Sequence, residues 1–268
     1  MFARPCWLVV LGMAIALIGA SFSLQSEFSK QLIREEQQIF VKGVAETWRL
    51  VWKEPPKPFC SFEDPLGAIT CPCSGFAYGE TGGLELIRLV GDREVDRLDL
   101  TPLYAEVLKG QDGAMIPRWE FRSSDIETYE SPEFESQVRS RPIVQIMNFA
   151  DYNHDGVATE FFLQTDVAPC GKRIGIIVGI TSKNPHLHAF GSARRPNKPL
   201  IMQKVLWEAL ISSARPPSIT DWPCGDHGSE IESEVELRAT RRGIEGTTRE
   251  FECTETGGRG RLVRQRKF

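Results

Sequence analysis

Oxygen-bearing side chains recur at every second position of the stretch DYNHDG, residues 151–156. A hard cation such as calcium takes about six to eight oxygen ligands, and alternate side chains of a curled loop can all point inward. Gly156 permits the sharp turn that such a loop needs. The spacing therefore predicts a calcium site. Its predicted ligands are Asp151, Asn153, Asp155, the backbone carbonyl of Val157, Thr159 through a water molecule, and Glu160.

This pattern resembles the calcium loops of EF-hand proteins and the shorter loops of FG-GAP and VCBS-type exported modules. It departs from both. An EF-hand has a bidentate Glu at position 12, where this chain has Phe162, and the shorter loops close with an acid where this chain has Thr159. The resemblance thus implies weak binding, with a Kd of about 10⁻⁴–10⁻³ M. Beyond the loop, the chain resembles only uncharacterised exported proteins.

The alternative to a calcium site is a bare turn between two strands, rich in Asp, Asn and Gly because these residues tolerate left-handed backbone conformations. The flanking segments RPIVQIMNF and EFFLQT have the composition of strands, so we do not expect a helix-loop-helix. In either case the loop is expected to stabilise the fold rather than to catalyse a reaction.

The first residues indicate export. A short segment with one Arg precedes an apolar run from Cys6 to Ala20, which is typical of a secretory signal peptide. Small residues allow cleavage after Ala20, Ser21 or Ser23. The alternative is an uncleaved membrane anchor over residues 1–23, since the apolar stretch approaches the ~20 residues that span a bilayer. We expect a periplasmic, cell-surface or secreted protein.

Cysteine content agrees with export. Six cysteines follow the apolar run, and an even number is typical of disulfide-bonded proteins in an oxidising compartment. Cys71 and Cys73 are too close to pair easily, so they are expected to bond to different partners. The sequence does not decide among the possible pairings. The six are Cys60, Cys71, Cys73, Cys170, Cys224 and Cys253.

Hydrophobic patterning predicts a mainly β (α+β) fold, an antiparallel strand-rich single domain with two or three helices over residues 24–258. The predicted helices begin near residue 26, at residue 101 and near residue 198, and residues 112–142 are predicted to be a long loop or a partly ordered insertion. The basic residues 259–268 are predicted to be a solvated tail. The predicted strands are TWRLVW (47–52), GLELIRLVG (83–91), EVDRLDL (94–100), PIVQIMNF (142–149), EFFLQTD (160–166), RIGIIVGIT (173–181), LHAFGS (187–192), EIESEVELRAT (230–240) and TTREFECTE (247–255).

Net charge and sequence motifs limit the classes of function that the protein can have. A net charge of -4 argues against a general nucleic-acid binder. We expect a non-catalytic binding or structural protein of the cell envelope, whose partner is an envelope protein or a saccharide. The alternative is a secreted hydrolase built from dispersed acids or histidines. Two weaker hypotheses are a zinc site at His186 and His188 with Asp226 or His227, and a nucleophilic site at Asp226, His227 and Ser229.

Overall fold

The structure is a computed structural model that describes residues 32–62, 65–69, 73–107, 112–168, 171–240 and 242–268. The predicted signal peptide or anchor lies outside these residues. In chain order the strands are β1 (Ile33–Val41), β2 (Val44–Trp52), β3 (Lys57–Phe59), β4 (Gly79–Gly82), β5 (Leu84–Val90), β6 (Arg93–Asp99), β7 (Ala114–Pro117), β8 (Glu160–Ala168), β9 (Lys172–Gly179), β10 (His188–Ala189), β11 (Gly191–Ser192), β12 (Arg195–Pro199), β13 (Met202–Gln203), β14 (Ile219–Trp222), β15 (Ile231–Thr240), β16 (Gly243–Cys253) and β17 (Arg259–Lys267). The helices are α1 (Pro65–Ile69), α2 (Thr101–Val107), α3 (Asp125–Thr128), α4 (Phe134–Arg139) and α5 (Lys204–Ser212).

The fold is mainly β with antiparallel sheets, which confirms the predicted class. One sheet has the order β1-β2-β5-β6, and a second is built on β9, which pairs with β8, β10 and β13. Alternating apolar residues of these sheets, such as Leu50, Leu86, Leu163 and Ile176, are fully buried in one core. Burial of this apolar face is what fixes the register of the strands.

The predicted N-terminal helix is wrong over its described part, because β1 is a strand. Lys42 and Gly43 both have positive φ angles, 51° and 83°, and close a tight hairpin between β1 and β2. Such a two-residue turn matches the twist of the flanking strands. The apolar spacing suggested a helical face, but Phe40 is 75% exposed and Val44 is also exposed.

The predicted strand PIVQIMNF is also wrong: residues 142–149 have no regular secondary structure and belong to no ladder. Side chains of β1 bind this segment instead. The Glu35 carboxylate accepts the N–H groups of Ile146 and Met147 at 2.7 and 3.0 Å, and Gln37 Nε2 donates to the Met147 carbonyl at 2.7 Å. These contacts satisfy the backbone groups that strand pairing would otherwise satisfy.

Residues 112–142 are ordered rather than a loop. They contain β7, α3 and α4, and they cover a separate apolar cluster that includes Tyr78, Trp119, Phe134 and Val138. Strand β7 joins β3 and β4 in a small three-stranded sheet. The many Ser and Glu residues lie on the solvent side, so composition alone concealed this packing.

The third sheet has the order β12-β11-β16-β15-β14, with β17 paired to β16. The prediction of a solvated tail is therefore wrong for Arg259–Lys267. Arg259 Nε lies 2.5 Å from a Glu232 carboxylate oxygen on β15, and Arg261 Nε lies 2.7 Å from a Glu252 carboxylate oxygen on β16. Acidic strands thus hold the basic strand in place.

The predicted helices at residues 101 and 198 are found, in shortened form, as α2 and α5. Helix α2 begins at Thr101, as predicted, and its predicted end at Gly110 lies outside the described residues. Helix α5 begins later than predicted, at Lys204, and buries Leu206, Trp207 and Leu210 against the second and third sheets. Within the described ranges, no helix is long and apolar enough to cross a membrane.

The described residues contain two disulfides, Cys60–Cys73 and Cys224–Cys253, with Cα–Cα distances of 6.0 and 5.7 Å. The first joins the segment after β3 to the turn before β4, and the second joins the segment after β14 to the end of β16. Cys71 and Cys170 lie outside the described residues.

Candidate functional site

The acidic loop, residues 151–159, lies between segment 142–149 and β8. An antiparallel bridge closes its base: the Ala150 N–H donates to the Glu160 carbonyl at 2.8 Å. Inside the loop, His154 and Gly156 have positive φ angles of 55° and 93°. His154 Nε2 lies 2.5 Å from the Leu210 carbonyl, one of the last carbonyls of α5. Because helix ends leave carbonyls unpaired, this contact anchors the loop to the helix.

The side chains at alternate positions fold inward onto the backbone of the loop. The two carboxylate oxygens of Asp151 accept the N–H groups of Asp155 and Gly156 at 3.0 and 2.9 Å. Asn153 Oδ1 accepts the same Asp155 N–H at 2.8 Å, and Asp155 Oδ1 accepts the Val157 N–H at 3.1 Å. The sequence-predicted ligands Asp151, Asn153 and Asp155 are therefore brought together around one turn.

Glu160 follows the loop as the first residue of β8, and its side chain is completely buried. Its Oε2 accepts the Tyr152 N–H and its Oε1 accepts the Asn153 Nδ2–H, both at 3.0 Å. Burial raises the pKa of Glu160 to about 8; the hydrogen bond from the Tyr152 N–H lowers the pKa, and the neighbouring carboxylates of Asp155 and Asp151 raise it.

Val157 and Thr159 are placed less favourably as ligands. The Val157 carbonyl already accepts the Thr159 N–H at 3.1 Å. The Thr159 hydroxyl is buried, 3.1 Å from the Ile180 carbonyl and 3.2 Å from Glu160 Oε1. It therefore contacts Glu160 and the residue that follows β9, and the water-mediated role of Thr159 stays a prediction.

The side-chain oxygens of Asp151, Asn153, Asp155 and Glu160 are of the chemical type that binds a hard cation. All the partners of Asp151, Asp155 and Glu160 shown in the described residues are N–H or O–H groups, and none of these carboxylates is paired with Lys, Arg or His. Each carboxylate oxygen keeps acceptor capacity beyond the bonds it makes. Across the described part of the chain, however, no group of three or more His, Cys, Asp or Glu side chains is already gathered around a metal position.

The other candidate residues are brought together only in part: His227 Nδ1 lies 3.6 Å from Asp226 Oδ1, and Asp226 is also paired with Lys172. His186 is exposed on a loop, 3.8 Å from an Asp96 carboxylate oxygen. His188 stacks on Phe190 with 4.8 Å between ring centroids. The Ser229 hydroxyl donates to the Ile231 carbonyl at 2.6 Å rather than to His227. The described residues thus hold neither the proposed zinc cluster nor a triad at Asp226, His227 and Ser229.

A groove of about 1070 Å³ borders the acidic loop. Its lining includes Asn153, His154 and Asp155 of the loop and the segment 181–184. Residues of the hairpin β11–β12 and of the β15–β16 turn also line it. Sequence reasoning missed this groove, because its lining comes from segments far apart in the chain and no local motif marks it.

A smaller cavity of about 480 Å³ lies beside the cluster of Phe62, Tyr78 and Trp119. Its two arginines are already paired: Arg118 with Glu80, and Arg139 with Glu135. Both guanidinium groups also lie over the ring of Trp119, at 5.1 and 5.5 Å from its centroid. The aromatic surface of this cavity is therefore covered by the chain's own side chains.

Comparison with known protein families, curated proteins and solved structures finds no match to this chain.

Proposed function

We propose that this protein is an exported, non-catalytic calcium-binding protein of the cell envelope, with a binding or structural role. The observation that carries the proposal is the burial of Glu160 next to a loop that contains Asp151 and Asp155, none of which is paired with a cationic side chain of the described residues. A buried carboxylate is unfavourable unless it is paired, binds a metal or takes up a proton, and burial raises the pKa of Glu160 to about 8, so without metal it keeps a proton at neutral pH. A divalent cation would displace that proton and supply the positive charge.

Asp151, Asn153, Asp155 and Glu160 would hold the ion, with the Val157 carbonyl as a further oxygen. Calcium bound there would supply charge neutralisation and would brace the turn between residue 150 and β8, because an ion that binds only the native state stabilises it. The chain's own contribution is the closed loop, fastened at its base by the Ala150–Glu160 bridge and at its tip by His154.

Export is supported by the two disulfides, since such bonds persist mainly in oxidising compartments. The N-terminal apolar run from Cys6 to Ala20 supports it independently. Cell fractionation with mass spectrometry of the purified protein tests this part: we expect an envelope or secreted location, and a mature chain that starts after Ala20, Ser21 or Ser23 if the leader is cleaved. A cytosolic, fully reduced protein would contradict it.

Thermal unfolding of the oxidised protein in calcium and in chelator tests the ion site. With a Kd of about 10⁻⁴–10⁻³ M, 10 mM calcium would stabilise the fold by roughly 1.4–2.7 kcal/mol. In a domain of this size, that raises the midpoint by about 3–10 °C. We expect Asp151→Asn to lose most of this calcium-dependent rise while keeping an oxygen acceptor for the loop backbone.

The matched controls are His186→Ala and His188→Ala, which should keep the full calcium response. The comparison uses the difference between calcium and chelator for each variant, because any loop variant can also shift the metal-free midpoint. No rise up to 10 mM calcium, or an equal loss in the histidine variants, would overturn the proposed ion site.

A further inference from the structure

The groove beside the acidic loop is lined by cations that have no partner of opposite charge. Lys183, Arg238 and Arg242 are exposed side chains of its lining, and none forms an ion pair with a described residue. Glu245 is paired in register with Arg238 on the neighbouring strand, but no ion pair joins them and Glu245 does not line the groove. In the smaller cavity the two arginines are paired with Glu80 and Glu135, and Lys57 is the cation without an ion pair among the described residues.

Negative charge in the groove is scarce and already engaged. Among the described residues of the lining, Asp155 is the only acid, and its two oxygens accept the N–H groups of Val157 and Ser182. A cleft lined by one sign of charge concentrates ligands of the opposite sign. The groove therefore favours an anionic ligand, and calcium on the neighbouring loop would strengthen that preference.

Neutral polar groups and buried apolar residues accompany the cations. The lining includes the exposed amide of Asn197, the amide of Asn184, which also contacts His186 and His188, and the hydroxyl of Thr240, which also bonds to Gly243 and Arg242. Leu187 and Phe190 are buried members of the same lining. Amides and hydroxyls both donate and accept hydrogen bonds, which is what ring hydroxyls require. At about 1070 Å³ the groove is as large as the upper end of small-molecule pockets, so it has room for an oligomer.

An extended acidic peptide fits less well. Strand β12 is the free edge of its sheet and reaches the groove, but it contains Pro196 and Pro199, which cannot donate backbone hydrogen bonds. Single-stranded nucleic acid would need exposed aromatic faces for stacking. Phe190, which is buried under the ring of His188, provides none.

We propose that this groove binds an acidic oligosaccharide, with Arg238, Arg242 and Lys183 holding its carboxylates and the amide and hydroxyl side chains holding its ring hydroxyls. This inference rests on the proposed function, because it gives a ligand class to the envelope-binding role. The ligand is recognised non-covalently, and no bond is made or broken.

Isothermal titration calorimetry of the whole oxidised protein in calcium tests the inference with three probes. They are a hyaluronan tetrasaccharide, which carries carboxylates, chitotetraose, which is a neutral sugar of the same length, and tetraglutamate. We expect the hyaluronan tetrasaccharide to bind at least tenfold more tightly than either of the others. The double variant Arg238→Gln, Arg242→Gln should weaken its binding at least tenfold.

Arg173→Gln is the matched control, since Arg173 is also exposed and unpaired in the described structure but lies at the opposite end of β9 from the groove. Its affinity should stay within twofold of the original protein. Equal binding of chitotetraose, tighter binding of tetraglutamate, no binding at millimolar probe, or an equal loss in the control would each overturn the inference.

Thermal midpoints of the same samples in calcium and in chelator separate this inference from the proposed function. A calcium response without oligosaccharide binding would leave the ion site and remove the groove ligand. Oligosaccharide binding without a calcium response would support the groove ligand and remove the ion site.

Discussion

The carboxylate of Asp155 accepts the backbone N–H of Ser182, with 2.6 Å between Oδ2 and N. The Ser182 carbonyl in turn accepts a hydrogen bond from Lys42 Nζ at 3.2 Å, at the turn between β1 and β2. One side chain of the acidic loop thus fixes a segment that lines the neighbouring groove. The loop borders the groove directly through Asn153, His154 and Asp155, and a change at Asp155 also reaches it through Ser182.

Replacing Asp155 with Ala should loosen the segment that contains Ser182. The hydrogen bond to Ser182 is a charge-assisted bond near the surface, so its loss is expected to cost about 1 kcal/mol. Amide hydrogen exchange at Ser182 should then speed up by about fivefold, while exchange at buried positions of β9 such as Ile177 should not change. Asp151→Ala serves as the comparison, because Asp151 makes no contact with Ser182. Equal acceleration in both variants would mean that the segment responds to the loop as a whole.

Stability of the metal-free protein should fall as pH rises from about 5 to 8, because of Glu160. Its ordinary pKa of 4.5 rises to about 8 in the fold. Between these values the unfolded chain releases the proton while the folded chain retains it, so rising pH favours unfolding. Below pH 4.5 and above pH 8, Glu160 does not make the free energy of unfolding depend on pH. The full loss attributable to Glu160 is on the order of 4 kcal/mol.

Urea unfolding in metal-free buffer at several pH values measures this loss. Glu160→Gln should flatten the decline between pH 5 and 8, because the amide does not titrate. Glu245→Gln, at an exposed position, should keep the decline of the original protein. An unchanged slope in Glu160→Gln would show that the buried carboxyl is not the titrating group.

Strand alternation and the long helix were visible in the sequence because they depend on local patterning. The runs of β5, β8 and β9 are apolar on the face that the core buries, and α5 repeats its apolar residues at helical spacing. The acidic loop was equally visible, since its residues are adjacent. The raised pKa of Glu160 was not predictable from the sequence, because the burial of Glu160 depends on packing that residue spacing does not encode.

Elements held by distant charges were not predictable in the same way. Strand β17 looks like a solvated basic tail until Glu232 and Glu234 of β15 are placed beside Arg259. Residues 142–149 pattern as a strand, but Glu35 of β1 occupies the backbone groups that a ladder would use. The groove cations come from two segments more than 50 residues apart, Lys183 and the hairpin residues Arg238 and Arg242, so no short window of sequence contains all three.

The last prediction concerns Asp125, a buried carboxylate within residues 112–142. Arg141 holds it through both terminal nitrogens at 2.6 and 2.8 Å, and the hydroxyl of Tyr78 donates to it at 2.9 Å. Burial alone would raise the pKa of Asp125, but the bonds from Arg141, from the Arg122 N–H and from Tyr78 outweigh it, so the pKa lies below its ordinary value. Its stabilising contribution is therefore present at neutral pH and is lost as pH falls through the folded pKa.

Asp125→Asn should destabilise the fold by about 3–5 kcal/mol at pH 7, since it leaves the largely buried guanidinium of Arg141 without its counter-charge. The variant should also lose the part of the acid sensitivity that Asp125 causes, so the gap between it and the original protein narrows as pH falls. Glu135→Gln, which breaks the exposed pair with Arg139, should cost only about 0.5 kcal/mol. Urea unfolding of the three proteins at pH 7 and pH 4 measures both effects. Similar costs for the two variants at pH 7 would show that residues 112–142 are loosely attached, as their composition suggests, and not locked by this buried pair.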